Sequence, residues 1–310
     1  MSSSPNFFII PAFNATATIE AAVASIQAQT VTDWAVCIID DGSSDPRLIP
    51  LYRQMVRDPR IQVILSPSNK GPGAARNLGL DRLPAEAKLV YFMDADDLAA
   101  PDRVALQTAF FRMYPELDAA GGSVRMFGAQ TGVLTPCLTP EDIAVRLLFS
   151  SEVFTNTLTI RADLLRRSKL RFLEGFETGE DWEFATRLVR HGALGNLPDV
   201  LAEYRRSEQQ ATTNLTDRPG DLAARLRVAQ LQWLGIPTER IDIETHIAIS
   251  PCYWPLHREV PPAAFSRERI AAWHDTLLSA NRASGRFDEG RFVAILETIF
   301  KPYLQESMDA

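Results

Sequence analysis

Three aspartates crowd together in KLVYFMDADDLAAPD, residues 88–102, directly after an apolar run. Without a shared positive charge, Asp94, Asp96 and Asp97 would repel one another strongly in a site that also faces an anion. Carboxylates are hard oxygen donors suited to a divalent cation, Mn²⁺ or Mg²⁺, and a cation held there can carry a diphosphate. Two other polar groups suit the same ligand. Asp40 and Asp41 close WAVCIIDD (34–41), while NKGPGAARN (69–77) offers backbone N–H groups, Lys70 and Arg76 to phosphate oxygens.

These residues need a scaffold that delivers them to one edge. FFIIPAF (7–13), WAVCIIDD (34–41), IQVILS (61–66) and KLVYFMDAD (88–96) read as strands. Between and after them, TIEAAVASIQAQ (18–29), DPRLIPLYRQMV (45–56), PGAARNLGLDRL (72–83) and PDRVALQTAFFRMY (101–114) read as helices. Asp45 serves as a cap to the second, and prolines sit at the starts of the last three. Strands apolar on both faces and separated by helices predict a mainly parallel sheet covered on both sides, so the first 115 or so residues form a doubly wound α/β unit. Ligands of such sheets bind at the carboxyl ends of the strands, where all three polar groups fall.

Bulk properties agree with an enzyme-sized globular chain. The 310 residues are 46% hydrophobic, enough for a large core, and 32 Lys and Arg against 39 Asp and Glu leave a net charge of −7. That balance gives no footprint for nucleic acid. The N-terminus MSSSPNFFIIPAFN has no basic leader region, and no apolar run is long enough to span a bilayer, so the expected location is the cytoplasm. Cys37, Cys137 and Cys252 are widely spaced and lack a CxxC or a nearby histidine, which argues for thiols rather than a disulfide framework or a zinc site. A haloacid-dehalogenase-type phosphatase would need an aspartate where IIDDGS has Ile39. A nucleotidyltransferase of similar fold would need a glycine-rich loop after the first strand, and a calcium loop an oxygen ligand where Leu98 stands.

FFIIPAFNATATIEAAVASIQAQT, CIIDDGSSD, NKGPGAARNLGL, YFMDADDLAAPDRV and GFETGEDWEFATRL, in this order and spacing, resemble the family 2 inverting glycosyltransferases, whose fold is called GT-A. The resemblance covers about residues 6–206. It implies a nucleotide-diphosphate sugar donor, UDP-linked by preference, and a divalent cation. It places the nucleoside at Pro11, Ala12, Phe13 and Asn14, with Asp41 near the base. Lys70, Gly71, Arg76, Asn77, Asp94, Ala95 and Asp96 fall in the donor motifs, Asp96 and Asp97 are implied at the metal, and Asp181, beside Glu180, as the catalytic base.

Each of these residues has a plainer alternative. The string from Asp41 to Asp45 could be a turn and a helix cap, and Gly71 could merely permit tight backbone geometry. Glu180 and Asp181 open DWEFATRLVRHG, where the positive end of the helix dipole favours acids in any protein. Trp182 could wall an acceptor sugar or pack in the core. One position departs from the family: where members commonly carry a metal-binding histidine after a tyrosine-arginine pair, EYRRSEQQATTN has Ser207, for which Glu208 or water could substitute.

The tail carries helical apolar spacing in DLAARLRVAQLQWLG, TERIDIETHIAI, SRERIAAWHDTLLSANRASG and DEGRFVAILETIFKPYL, with Gly235 and Gly285 as stops and a proline-rich connector over 250–262. Its Trp233, Trp254 and Trp273 fit packing or a partner, and His246, His257 and His274 lack metal-ligand spacing. The expected division is 1–214 for the GT-A domain and 215–310 for a helical extension that offers a route to homo-oligomers. The expected activity is glycosyl transfer to a hydroxyl of a glycan or lipid-linked acceptor, which in the lipid case would draw the enzyme to the inner membrane surface. The alternative is a catalytically weak sugar-nucleotide-binding or assembly protein of the same fold.

Overall fold

The computed structural model describes residues 6–175, 179–207, 222–250 and 265–304. Its first half alternates as the hydrophobic pattern predicts: β1 (Asn6–Ala12), α1 (Ile19–Gln27), β2 (Trp34–Asp40), α2 (Leu48–Met55), β3 (Ile61–Leu65), α3 (Pro72–Leu80), β4 (Leu89–Phe92), a two-residue β5 (Leu98–Ala99) and α4 (Arg103–Met113). Then follow β6 (Leu117–Gly128), β7 (Gly132–Leu134), α5 (Pro140–Arg146), β8 (Thr159–Arg161), α6 (Ala162–Ser168), α7 (Glu180–Leu188) and β9 (Ala193–Arg206). The chain ends in α8 (Leu222–Leu234), α9 (Ile243–Ile249), α10 (Arg267–Ser284) and α11 (Glu289–Leu304). Helix α2 begins at Leu48 with Arg47 at the cap position and no side-chain cap bond, so Asp45, expected as the cap, lies two residues upstream, where its carboxylate accepts the Arg47 N–H at 3.0 Å.

The strands form one sheet in the order β3-β2-β1-β4-β8-β6-β9-β5, with β7 paired to β6. Strands β1 to β4 are mutually parallel where they pair, while β8 runs antiparallel to both β4 and β6, so the sheet changes character at the β4–β8 seam. Phe8, Ile10, Val36, Ile38 and Tyr91 pack against Ile19, Ala22, Val23 and Ile26 of α1, Leu48 and Tyr52 of α2, and Val104 and Phe111 of α4. α3 lies so close to the sheet that a Cβ at Gly79 would stand 2.5 Å from Ile9 Cγ2. Both faces are therefore covered, and that is why these strands read as unbroken apolar runs. Register then sets the ligand edge. Ala12 lies opposite Asp40, and Asp40 opposite Leu65, so the loops after β1, β2 and β3 leave the sheet together.

The described residues of 1–138 and 153–210 form one compact unit, and those of 139–152 and 211–310 a second. A single boundary at 214/215 leaves out this exchange: α5 and the residues after it group with the C-terminal helices. The reason is apolar. Val145, Leu148 and Phe149 enter a core made by Leu231, Leu234, Trp273, Leu277, Phe292, Leu296 and Phe300. Arg227 Nε and Gln230 Nε2 donate to the carbonyls of Phe149 and Leu147 at 2.9 and 2.7 Å.

In that core the fully buried His246 accepts from Trp273 Nε1 at Nδ1, so Nε2 carries the proton and donates to the Leu148 carbonyl at 2.9 Å. Burial pulls its pKa down to about 3. Ser266 caps α10 by accepting the Arg269 N–H, and Gly285 ends it in the left-handed conformation, φ 59°. Cys252, Trp254, His257 and the connector expected over 250–262 lie outside the described residues, except for Ser250, as does Glu208. Among the described residues no helix is long and apolar enough to cross a membrane.

Candidate active site

The first three strand-end loops are tied to one another. Pro11 and Ala12 end β1, Phe13 follows with 51% of its surface exposed, and Asn14 takes the left-handed conformation, φ 50°. Asn14 N–H donates to Ser43 Oγ, and its side-chain carbonyl accepts the Ser44 N–H at 3.0 Å, joining the β1 loop to the β2 loop. The buried Asp41 joins the β2 loop to the β3 loop, because its carboxylate accepts the N–H groups of Lys70 at 3.0 and 3.1 Å and of Gly71 at 2.8 Å. Gly42 makes that approach feasible. Its φ is 74°, and a Cβ there would sit 2.5 Å from the Ser68 carbonyl carbon. The Lys70 side chain is exposed.

The aspartate loop leaves β4 beside the last residues of β1, since pairing stops at Phe92 opposite Ile9. The three carboxylates fall in three different environments. Asp94 is 31% exposed and bonds Arg76 Nη2 at 2.7 Å. Asp96 is half-buried, and its carbonyl accepts Arg205 Nε at 2.9 Å. Asp97, expected at the cation, is wholly buried and turned inward: Oδ2 accepts Asn156 Nδ2 at 2.6 Å and Oδ1 the Arg205 N–H at 2.7 Å. Burial, and after it the charges of Asp96 and Asp94, hold the Asp97 carboxyl well above the ordinary range.

Helix α7 reaches this loop through α3. Arg76 projects from α3 and is almost fully shielded, with Nη1 on Glu180 Oε1 and Nη2 on Asp94 Oδ1, both at 2.7 Å. Asn77, the next residue, clasps the segment before α7: its amide donates to the Phe172 carbonyl and accepts the Phe172 N–H, each at 2.9 Å. The Phe172 ring stacks on Phe184 of α7 at 3.9 Å. Arg76 and Asn77, both expected in the donor motifs, thus spend these bonds on Glu180, Asp94 and Phe172. α3 presents both toward α7 and the segment before it, and the two terminal nitrogens of Arg76 and the Asn77 amide bond protein groups.

Glu180 is buried with its charge on Arg76, whereas Asp181 is half-buried, with Oδ1 on the Trp182 N–H at 2.7 Å and Oδ2 at 3.3 Å from Thr155 Oγ1. Burial raises both carboxyls, joined for Glu180 by the Asp181 charge; Arg76 opposes the rise in each. Trp182 is 7% exposed, which is core burial rather than an open sugar wall. Ala95 is buried too, at 8%. Ser207 follows β9, two residues beyond Arg205, whose N–H holds Asp97.

Asn156, Thr155 and Arg205 bond candidate site residues yet lie outside the sequence motifs, and Arg103, though inside YFMDADDLAAPDRV, is not singled out there. FTNTL carries no periodicity, and only the neighbouring Ser207 of the YRRS stretch is singled out by the family pattern. Among the described residues, no group of three or more His, Cys, Asp or Glu side chains is arranged to hold a metal ion. Of the three carboxylates, the partly exposed ones are Asp96 and the Arg76-paired Asp94. Such a set fits a cation whose remaining ligands arrive on a diphosphate rather than a closed protein cage.

A parallel half-sheet that gathers aspartates at its loop edge and continues into mixed strands is the GT-A architecture. The family model for "Glycosyl transferase family 2" matches residues 7–166, and the chain belongs to that family of glycosyltransferases. An uncharacterized glycosyltransferase of Haemophilus influenzae is 28% identical over 232 residues, 71% of either chain. Succinoglycan biosynthesis protein ExoO of Rhizobium meliloti is 32% identical over 193 residues, 56% of this chain and 53% of that one. The fold is similar to that of S. aureus TarS 1–349 in complex with UDP-GlcNAc, with a TM-score of 0.61 and 18% identity over 96% of this chain and 91% of that one.

Proposed function

We propose that the protein is an inverting glycosyltransferase that moves a sugar from a nucleotide-diphosphate donor, UDP-linked by preference, to a hydroxyl of a glycan or lipid-linked glycan. The observation that carries this reading is the shared guanidinium. By bonding Glu180 and Asp94 at once, Arg76 brings the start of α7 to the aspartate loop, so Asp181 stands beside the donor edge. The role of ExoO in succinoglycan biosynthesis and the UDP-GlcNAc in TarS favour the substrate classes.

In the proposed reaction Asp181 Oδ2 takes the proton of the acceptor hydroxyl. The freed oxygen forms its bond to the anomeric carbon from the face opposite the diphosphate. The anomeric C–O bond breaks with inversion, and the electron pair leaves on the diphosphate. Burial strengthens Asp181 as a base, while Glu180, shielded and bound to Arg76, is not free to take the proton. Asp96 would hold the divalent cation together with the donor's own phosphate oxygens, and when bound the cation stabilises charge on the leaving group. Phe13, exposed beside Asn14, offers an apolar surface to the nucleoside.

The test is a panel of UDP- and other nucleotide-linked sugars, with Mn²⁺, Mg²⁺ or EDTA, scored for binding and hydrolysis. Cation-dependent turnover of a member supports the proposal. A second reading, a sugar-nucleotide-binding protein of weak turnover, is favoured by Ser207 at the position of the family's histidine. Retained UDP binding with no turnover of any member would select it.

A further inference from the structure

We infer that Arg76 is a positioning residue for the transfer step: it clamps α7 to the aspartate loop and sets the positive charge beside Asp181, instead of binding donor phosphate. The inference rests on the reading of Asp181 as the base.

Geometry separates the two roles. A phosphate-binding arginine must offer N–H groups to the ligand, and this side chain is only 4% exposed. Nη1 and Nη2 are spent on two carboxylates from different elements, and the Nε–H is buried with no acceptor among the described residues. Its plane sits over Phe172, 5.3 Å from the ring centroid, and Phe172 is itself pinned by Asn77. A lysine could not replace it, because one ammonium on a flexible stem lacks the rigid fork that spans two carboxylates.

Among the described residues, three charged groups bear most directly on Asp181 and its neighbour Glu180. Glu180 on its own helix and Asp94 from the β4 loop are negative, and Arg76 from α3 is the cation that opposes them. An opposite charge at close range favours the ionised carboxylate, and like charges disfavour it. Removing Arg76 therefore leaves three acidic groups without their cation and moves Asp181 toward its protonated form, which cannot accept a proton from the acceptor.

The test reads Asp181 directly, without a known acceptor. Protein labelled with ¹³C at aspartate Cγ is titrated by NMR, and the Asp181 resonance is assigned as the one missing in Asp181→Asn. In Arg76→Met the Asp181 midpoint should rise by about one unit or more, and in Arg76→Met/Glu180→Gln it should return part of the way. Arg76→Lys, which keeps charge but not the fork, should give a smaller rise. UDP affinity in the presence of Mn²⁺, by calorimetry, should change less than threefold in Arg76→Lys. An unmoved Asp181 midpoint in these variants would overturn the inference, and so would a tenfold or greater loss of UDP affinity in Arg76→Lys. If Arg76→Met does not fold, the double variant, which removes the orphaned Glu180 charge, and Arg76→Lys carry the same titration. Undiminished sugar hydrolysis by Asp181→Asn would instead defeat the base reading, while the midpoint shifts would still report the clamp.

Discussion

Asn156 donates to Asp97 across 2.6 Å in a pocket that leaves Asp97 wholly shielded and Asn156 only 2% exposed. The Asn156 carbonyl in turn accepts Nη1 of Arg103, which is itself fully buried and also donates to the Phe92 carbonyl at 2.9 Å. A buried carboxyl and a buried guanidinium are thus joined through one asparagine, and burial pulls the Arg103 pKa down to about 10. This places Asp97 in the support of the loop, whereas Asp96 is only half-buried.

The two aspartates should therefore fail differently. Asp97→Ala strands the Asn156 amide and the Arg205 N–H without an acceptor, and the expected loss of stability is about 3 kcal/mol. Asp96→Ala should cost no more than about 1 kcal/mol yet abolish the cation dependence of UDP binding. Urea denaturation and calorimetry with Mn²⁺ or EDTA distinguish them; equal stability losses would place both carboxylates in the same environment.

Asp181→Asn removes the proposed proton acceptor and keeps its shape. Turnover should fall about 10²- to 10⁴-fold, with UDP affinity unchanged because the diphosphate edge is untouched. In the wild type, burial raises the Asp181 carboxyl, so kcat/KM should decline as pH falls through a midpoint above the ordinary aspartate value. A profile flat down to pH 4, or near-normal turnover by the variant, would reduce these acids to helix-dipole ornaments.

What the sequence discloses divides at the β4–β8 seam. Strands buried on both faces, such as WAVCIID, announce themselves by composition, and their loops inherit a common edge from parallel register. β6 does not announce itself: LDAAGGSVRMFG has two adjacent glycines where a strand wants branched residues. The structure supplies the reason. A Cβ at Gly121 would strike Asn196 Oδ1, and one at Gly122 would come within 2.5 Å of Leu201, both on β9, while the register shifts between Gly122 and Ser123. Arg76 and Asn77 show the same limit at the site. Their place in a glycine-bearing loop marks them as functional, but which way a helix turns its side chains depends on long-range partners, Glu180 and Phe172, that local spacing does not encode.

Asn77 gives a prediction of its own. Its two bonds to Phe172 hold the segment that leads to Asp181, so Asn77→Ala should cost about 1–3 kcal/mol. Amide hydrogen exchange at Phe172 should accelerate at least tenfold, with turnover falling while Mn²⁺-dependent UDP binding is kept. Asn77→Asp should retain the bond to the Phe172 N–H but set a carboxylate against the Phe172 carbonyl, and so be no better than alanine. Loss of UDP binding in Asn77→Ala, with Phe172 exchange unchanged, would return this residue to the donor site.

Ser207 bears on how the cation is held. It lies two residues beyond Arg205, which bonds both Asp97 and the Asp96 carbonyl, so the end of β9 is anchored to the aspartate loop. With Asp97 turned inward, Asp96 is the proposed cation carboxylate, and binding should be feeble until a nucleotide supplies phosphate oxygens. By linkage, Mn²⁺ and UDP must then raise each other's affinity by the same factor. Ser207→His would add an imidazole donor, which suits Mn²⁺ better than Mg²⁺. Mn²⁺ titrations followed by electron paramagnetic resonance, with and without UDP, should show a gain of at least tenfold in the nucleotide-free variant and a correspondingly smaller dependence on UDP. An unchanged nucleotide-free affinity would mean that residue 207 stands away from the cation, and that the match of YRRS to the family's histidine position is out of register.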